Sequence, residues 1–124
     1  SEAKRQRDYK FLSLRGMTRA EYKAINCAPD YKDRPILRYT EQRRNADTRS
    51  VGWEFNFATW WKVWNDSGKW DARGKSRGGY CMARLGDEGA YSPSNVEIMT
   101  SSKNHSDYLV SMWLNHGVVA TARV

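Results

Sequence analysis

The stretch that decides the fold is residues 80–104, with the sequence YCMARLGDEGAYSPSNVEIMTSSKN. Within it, YCMARL at 80–85 and VEIM at 96–99 each predict a short strand. The ten residues between them, GDEGAYSPSN, are rich in turn formers and predict a loop. Thr100 then suits the N-cap of a helix. The buried stripe of that helix is predicted at helical spacings, at Tyr108, Leu109, Met112 and Trp113.

Upstream lies the most aromatic part of the chain, residues 52–68, with the sequence GWEFNFATWWKVWNDSG. Phe57, Trp60, Trp61 and Trp64 fall at helical spacings, and Gly68 suits a C-terminal cap. The chain holds six Trp, seven Tyr and three Phe, which is enough aromatic surface for a core. We therefore predict a small α+β domain in which the strand–loop–strand–helix unit packs on an aromatic-rich core helix.

The remaining part, residues 1–49, is predicted to be a basic N-terminal arm followed by a helical region, with the main domain at 50–124. Residues 1–10 are polar and of mixed charge, which predicts a loose arm. Thr18 and Glu21 have the spacing of a capping box, so a helix is expected after Thr18. The segment TEQRRNADTR at 40–49 is compatible with a polar helix. This helix is either simply exposed on the surface or lies against the phosphate backbone of a nucleic acid.

Positive charge is concentrated in two places. The chain carries 21 Lys and Arg against 14 Asp and Glu, a net charge of +7. Residues 1–50 account for +6 of it (13 against 7), and the glycine-containing segment 69–84 is also strongly basic. Such clusters are typical of proteins that grip phosphates, although many small proteins simply have a solvated basic surface. The residues expected to bind double-stranded DNA are Arg43, Arg44, Arg49, Lys69, Arg73, Lys75, Arg77 and Arg84.

Two further features of the sequence bear on the cellular compartment of the protein. No apolar run approaches the roughly 20 residues that a membrane span requires, and the first residues have no hydrophobic signal core. The two cysteines, Cys27 and Cys81, are too few for a disulfide framework or a cysteine zinc site. These features predict a cytoplasmic protein, without a membrane partner.

Residues 80–104 resemble the ββα-metal module of HNH (His-Me finger) endonucleases, in the branch found in phages and mobile elements. The likeness rests on the loop Gly89-Ala90-Tyr91-Ser92-Pro93-Ser94-Asn95, the hydrophobic strand after it, Thr100 and Asn104. The aromatic helix and the glycine-rich basic segment upstream also match that branch, so the resemblance covers roughly residues 50–107. It implies a metal-dependent nuclease fold that docks on DNA.

The resemblance also implies a set of roles. Asn95 matches the family's loop asparagine, and Asn104 matches the metal ligand on the helix. Where the family has Asp followed by His or Arg, this chain has Ala83 followed by Arg84. Ala83 cannot bind a metal, and Arg84 cannot act as an ordinary general base, although it can bind a phosphate. The candidate catalytic residues are Arg84, Asn95, Asn104 and His105.

If cleavage takes place, its carboxylate ligand would have to come from Asp87 or Glu88, and its base from His105 or a metal-bound water. With Asn104 as the second ligand, these oxygen donors would suit Mg²⁺. The duller alternatives are that Asp87 and Glu88 simply form the turn, and that His105 is a surface or packing residue.

Three functions follow from these observations. The first is a DNA-binding protein that retains HNH-type endonuclease or nickase activity. The second is a DNA-binding module of the same type whose catalytic pair has been lost. The third is a small phage-type protein that inhibits a host protein through an exposed aromatic surface, which would require several exposed Trp residues in one patch. The sequence does not specify the oligomeric state.

Overall fold

The structure, a computed structural model, describes residues 1–76 and 78–116. In these residues the fold is α+β, with five α-helices and one two-stranded antiparallel sheet. The predicted fold class is confirmed at this level. The helices are α1 (Glu2–Arg15), α2 (Arg19–Ile25), α3 (Pro35–Thr48), α4 (Phe57–Ser67) and α5 (Ser101–His116), and the strands are β1 (Tyr80–Arg84) and β2 (Val96–Thr100). Three short 3₁₀ turns lie at Tyr31–Asp33, Trp70–Ala72 and Leu85–Asp87.

Local capping sets the ends of two of these helices. Thr18 and Glu21 form the predicted capping box at the start of α2, which confirms that helix. The core helix α4 begins with a second capping box, between Asn56 and Thr59. It ends at Gly68, whose φ of 67° is the left-handed conformation that a C-cap glycine adopts. The predicted aromatic core helix is therefore confirmed.

The core is built from the rings of α4 and the residues that surround them. Phe57 and Trp60 are each 1% exposed. Tyr39 of α3 packs edge-to-face on both rings, with centroid distances of 5.6 and 5.5 Å. On the same side of α3, Ala46 is fully buried. The polar segment predicted at 40–49 thus belongs to a longer helix, which has one face in the core and a charged face in solvent.

The sheet lies between α4 and α5, because one strand face joins the aromatic core while α5 packs across β1 and β2. Met82, opposite Ile98 in the register, belongs to the core. Ala83, opposite Glu97, lies on the other face and is only 4% exposed. The predicted N-cap is also present, since the Thr100 hydroxyl accepts a hydrogen bond from the Lys103 backbone amide at 3.2 Å.

The loose arm predicted at residues 1–10 is wrong, because these residues form most of α1. Ser1 caps the helix by accepting a hydrogen bond from the backbone amide of Lys4. Gly16, at φ 76°, terminates it in the left-handed conformation. The residues between are mostly strong helix formers, such as Ala, Lys, Arg and Gln. The mixed charge of residues 1–10 correctly indicates solvent exposure, but an exposed segment can be helical as well as disordered.

The buried stripe predicted on α5 is also wrong. Its four residues, Tyr108, Leu109, Met112 and Trp113, are between 37% and 52% exposed. Instead, Ser101, Asn104 and Asp107, three residues apart, are half-buried. The half-buried residues described on α5 are therefore polar, while its predicted apolar stripe faces solvent.

Candidate nucleic-acid interface

The loop between the strands is held by Asn95. Its side-chain amide donates to the backbone carbonyls of Glu88 at 2.7 Å and of Ala90 at 2.8 Å. Gly89, at φ 78°, brings the backbone so close that an added Cβ would lie 3.0 Å from the Asn95 amide nitrogen. Both donor hydrogens of the amide are thereby occupied by the loop itself. In this structure Asn95 shapes the loop rather than presenting its amide to a substrate.

Tyr91 ties that loop to the segment before α4. Its backbone amide donates to the Gly52 carbonyl at 2.9 Å, and its own carbonyl accepts from the Glu54 amide at 2.8 Å. Its ring lies 5.5 Å from that of Trp53. At the far end of the ring, the phenol oxygen accepts a hydrogen bond from the Arg49 guanidinium at 2.9 Å. Tyr91 therefore joins the strand loop, the core aromatics and the end of α3 into one surface.

Arg84 is largely buried, with 11% of its side chain exposed. One guanidinium nitrogen donates to the Gly89 carbonyl at 2.7 Å, and the other pairs with the Asp87 carboxylate at 3.3 Å. The guanidinium also lies 5.5 Å from the centre of the Tyr91 ring. Arg84 therefore braces the turn, and binding a phosphate would require it to leave these partners.

The predicted metal ligands and the predicted base lie on two neighbouring elements, the turn after β1 and helix α5. Asp87 lies in the turn after β1, with its carboxylate paired to Arg84. Asn104 is half-buried on α5, which packs against that turn. His105 is exposed and stacks on Tyr108, with ring centroids 6.4 Å apart. Within the described ranges, no three His, Cys, Asp or Glu residues come together as a group able to hold a metal ion.

As arranged, these donors do not fit Mg²⁺. The Asp87 carboxylate already neutralises the guanidinium of Arg84, and a metal ion would have to compete with that fixed positive charge. The amide of Asn104 adds no negative charge.

On the other side of Tyr91, an open groove of about 560 Å³ runs along α3. Its lining consists of Thr40, Arg43, Arg44, Asp47, Val51, Gly52 and Trp53. Arg43 and Arg44 are exposed, and Arg49 lies at the end of the same helix. Three of the predicted DNA-binding residues are therefore brought to the edge of the loop that carries Tyr91.

Three of the other predicted DNA-binding residues, Lys69, Arg73 and Lys75, lie toward the opposite end of β1, near Tyr80. Lys69 is exposed, with its ammonium 5.0 Å from the centre of the Tyr80 ring. Lys75 is also exposed, whereas Arg77 lies outside the described residues. Because a strand rises about 3.3 Å per residue, the Tyr80 and Arg84 ends of β1 stand about 13 Å apart. The cationic residues therefore form two groups, one toward each end of the sheet.

Arg73 is fixed within the second group. Its guanidinium stacks on Trp70 at 3.9 Å and donates to the carbonyl of that residue at 2.9 Å. Burial, followed by repulsion from Arg38, lowers the pKa of Arg73, while Asp33 acts in the opposite direction. The group nevertheless keeps its positive charge, because arginine titrates far above neutral pH. Arg73 adds positive potential while holding the loop in place.

Two features of this surface were missed at the level of sequence. Tyr91 belongs to the loop motif, and nothing in the neighbouring sequence indicates that its hydroxyl contacts Arg49. The charges of Lys4, Arg5, Arg7 and Lys10 were assigned to a loose arm, yet they lie on α1. The signal available for α1 was its helix-forming composition, ending at Gly16.

Comparison of the chain with protein-family models, with curated proteins and with solved structures finds no match. Among the helices of the described residues, none has both the length and the apolar character needed to cross a bilayer.

Proposed function

We propose that this protein binds double-stranded DNA through a ββα module similar to that of HNH endonucleases, with the catalytic pair of that module replaced. The observation that carries the proposal is the combination of a loop pinned by Asn95 with two exposed cationic groups at the ends of β1. One group contains Arg43 and Arg44, and the other contains Lys69 and Lys75.

The electrostatics support a polyanionic partner. These side chains are exposed, so they can approach phosphates without a large desolvation cost, and each contact releases a condensed counterion from DNA. Arg73 and Arg84 are held by partners within the fold, Asp33 and Asp87, so the exposed cations carry the attraction for phosphates. We expect phosphate contacts to dominate affinity and to make it strongly dependent on salt.

The chemistry of β1 supports loss of catalysis. Ala83 occupies the position of the family's acidic residue and is buried on the face covered by α5. Arg84 occupies the next position and is held by Gly89 and Asp87. A permanently protonated guanidinium cannot accept a proton from water. On this proposal the module binds DNA without cleaving it.

A Mg²⁺-dependent endonuclease or nickase is the second candidate. It is favoured by the chain order β1, loop, β2, α5, which the structure contains, and by Asn104, which the resemblance assigns as a metal ligand. It requires Asp87 to exchange Arg84 for the metal, or Glu88 to supply the carboxylate, with His105 or a metal-bound water as base.

Inhibition of a host protein is the third candidate. It requires a patch of exposed tryptophans, and of the described residues Trp113 is the one tryptophan that is mainly exposed. A nuclease-resistant complex with a host protein would be the result that favours it over DNA binding.

Plasmid nicking separates the first two candidates. Supercoiled plasmid is incubated with the protein and Mg²⁺ or Mn²⁺, beside Asn104→Ala prepared in the same way. The proposal predicts no nicking by either protein. Nicking by the wild type that is lost in Asn104→Ala would establish the second candidate instead.

Salt titration tests binding itself. If six phosphates are neutralised, the log–log slope of affinity against salt is about −5. Replacing both Arg43 and Arg44 by alanine should reduce the size of that slope by about 2. The matched control is Lys62→Ala, an exposed lysine on α4 that already pairs with Asp66. A flat salt response in the wild type would exclude the proposed function.

A further inference from the structure

The N-terminal helix stands apart from the rest of the molecule. None of the fourteen residues of α1 is buried, and every residue from Ser1 to Lys10 is exposed. At 1.5 Å per residue, the whole helix is about 21 Å long. Such a segment contributes little to the core, so its side chains are available to a partner.

Its attachment is confined to one end. Phe11 packs edge-to-face on Tyr22, with centroids 5.3 Å apart. The guanidinium groups of Arg15 and Arg19 lie over the Phe11 ring at 4.3 and 4.5 Å. Arg19 also pairs with Asp8 at 3.1 Å. The second half of α1 is therefore anchored on α2, while the first half projects into solvent.

The point where α1 meets the domain leaves no room for a larger residue. A Cβ added at Gly16 would lie 2.7 Å from the Asn56 amide nitrogen and 2.9 Å from the Ala58 Cβ. Gly16 also has φ 76°, which favours glycine. The close approach and the left-handed turn together set the direction in which α1 leaves the domain.

The charges of the projecting half surround the helix axis. Successive residues are turned by about 100°, so Arg5 lies about 140° from Lys10 and about 160° from Arg7. The exposed apolar residues Tyr9 and Leu14 lie on different faces as well. A helix that lies on a membrane needs one continuous apolar face, which α1 lacks. A partner that offers negative charge on both sides of the helix fits this distribution.

We infer that α1 is a recognition helix that enters the major groove of double-stranded DNA. The inference rests on the proposed function and adds the element and the groove that are used. A helix with its side chains is about 10–12 Å across, and the major groove is about 12 Å wide with phosphates along both walls. The preformed helix avoids the ordering cost that a flexible arm would incur on binding.

The anchor also defines which side chains face the base pairs. With Phe11 directed toward α2, the residues of α1 at least about 120° away around the axis are Glu2, Arg5, Gln6, Tyr9 and Ser13. Arginine and glutamine are the side chains that pair with guanine and adenine edges in this groove. Lys10 lies at the side of the helix, where it meets a phosphate. Arg5 and Gln6 therefore contribute sequence preference, and Lys10 contributes affinity for any sequence.

The decisive comparison is between Gln6→Pro and Gln6→Ala. Proline in the helix interior breaks α1 without changing any charge, whereas alanine keeps the helix. Binding to a labelled mixed-sequence duplex is followed by fluorescence anisotropy, with thermal melting to verify the fold of each variant. We expect Gln6→Pro to weaken binding at least about tenfold, and Gln6→Ala to weaken it by much less. Equal binding by Gln6→Pro and the wild type would show that α1 is not needed as a helix, and would overturn the inference.

A chemical probe identifies the groove. At saturating protein, dimethyl sulfate modification of guanine N7 in the major groove is compared with that of adenine N3 in the minor groove. We expect protection of N7 by the wild type and loss of that protection in Gln6→Pro. Unchanged N7 reactivity in the wild-type complex would overturn the inference, as would equally tight binding to double-stranded RNA, whose major groove is too narrow for a helix.

These results are separable from the proposed function. If the wild type binds DNA with a steep salt dependence but the α1 variants bind equally well, only the inference fails. If the wild type does not bind DNA, the proposed function fails first. Lys10→Ala, compared with Lys62→Ala, adds an independent measurement, because loss of one phosphate contact reduces the size of the salt slope by about 1.

Discussion

Replacing Asn95 by alanine tests whether this residue builds the loop or takes part in chemistry. The change removes two hydrogen bonds, to the carbonyls of Glu88 and Ala90, at 2.7 and 2.8 Å. A typical bond contributes about 1 kcal/mol net. The first of these bonds lies in an exposed setting and the second is partly buried, so the free energy of unfolding should fall by about 1.5–2.5 kcal/mol.

Urea denaturation followed by tryptophan fluorescence measures this loss directly, since the chain holds six Trp residues. With an m-value of about 1.5 kcal/mol/M, the midpoint should fall by about 1–1.7 M. The matched control is Asn45→Ala, which removes an exposed asparagine on α3. If Asn95→Ala is as stable as this control, the loop does not depend on the amide, and the structural role assigned to Asn95 is refuted.

Three further predictions concern side chains near the sheet, at Cys81, Tyr91 and Ala83. Burial raises the pKa of the Cys81 thiol, against a weaker opposing hydrogen bond from Ser101, so iodoacetamide near pH 8 should label the exposed Cys27 first. Equal labelling rates for the two thiols would contradict this prediction. The stability linked to Cys81 is present below the ordinary thiol pKa and is lost as the pH rises through the raised pKa. Tyr91→Phe removes the hydroxyl that accepts from the guanidinium at the end of α3, so thermal melting should show a loss of about 0.5–1.5 kcal/mol, whereas no loss would mean that this bond does not hold the loop. Ala83→Asp places a carboxylate in a buried position opposite Glu97 and should lower the free energy of unfolding by at least about 2 kcal/mol. We expect excess Mg²⁺ not to restore the melting temperature of this variant. Restoration by Mg²⁺ in this variant alone would favour the nuclease candidate.

The strand–loop–strand–helix order was readable from sequence because each of its elements has a local cause. Turn residues bound the two strands, and Thr100 caps the helix that follows. The capping box at Thr18 and the C-cap at Gly68 are equally local. The side-chain environment of Arg84 was not readable in this way, because Gly89 and Asp87 meet it only after the chain has turned.

The two wrong predictions have a common origin in what a helix packs against. Residues 1–10 are polar, and that property alone does not distinguish a loose arm from an exposed helix anchored through Phe11. The apolar spacing on α5 correctly indicated a helix but not its burial, because burial depends on the width of the neighbouring sheet. The spacing of apolar residues shows that they share one face of a helix, but it does not show whether another part of the protein covers that face.

By itself, the sequence determined the α+β class, the aromatic core helix, the two-stranded ribbon and the excess of positive charge, since these depend on composition, spacing and caps. Only the tertiary structure decided which cations face solvent and which brace the loop, because that depends on contacts between residues far apart in the chain. Arg49 donates a hydrogen bond to Tyr91, forty-two positions away in the chain. The direction of α1 likewise depends on the packing of Phe11 against Tyr22 of the next helix. The arrangement of the exposed charges is therefore a property of the folded chain, whereas their total follows from the composition.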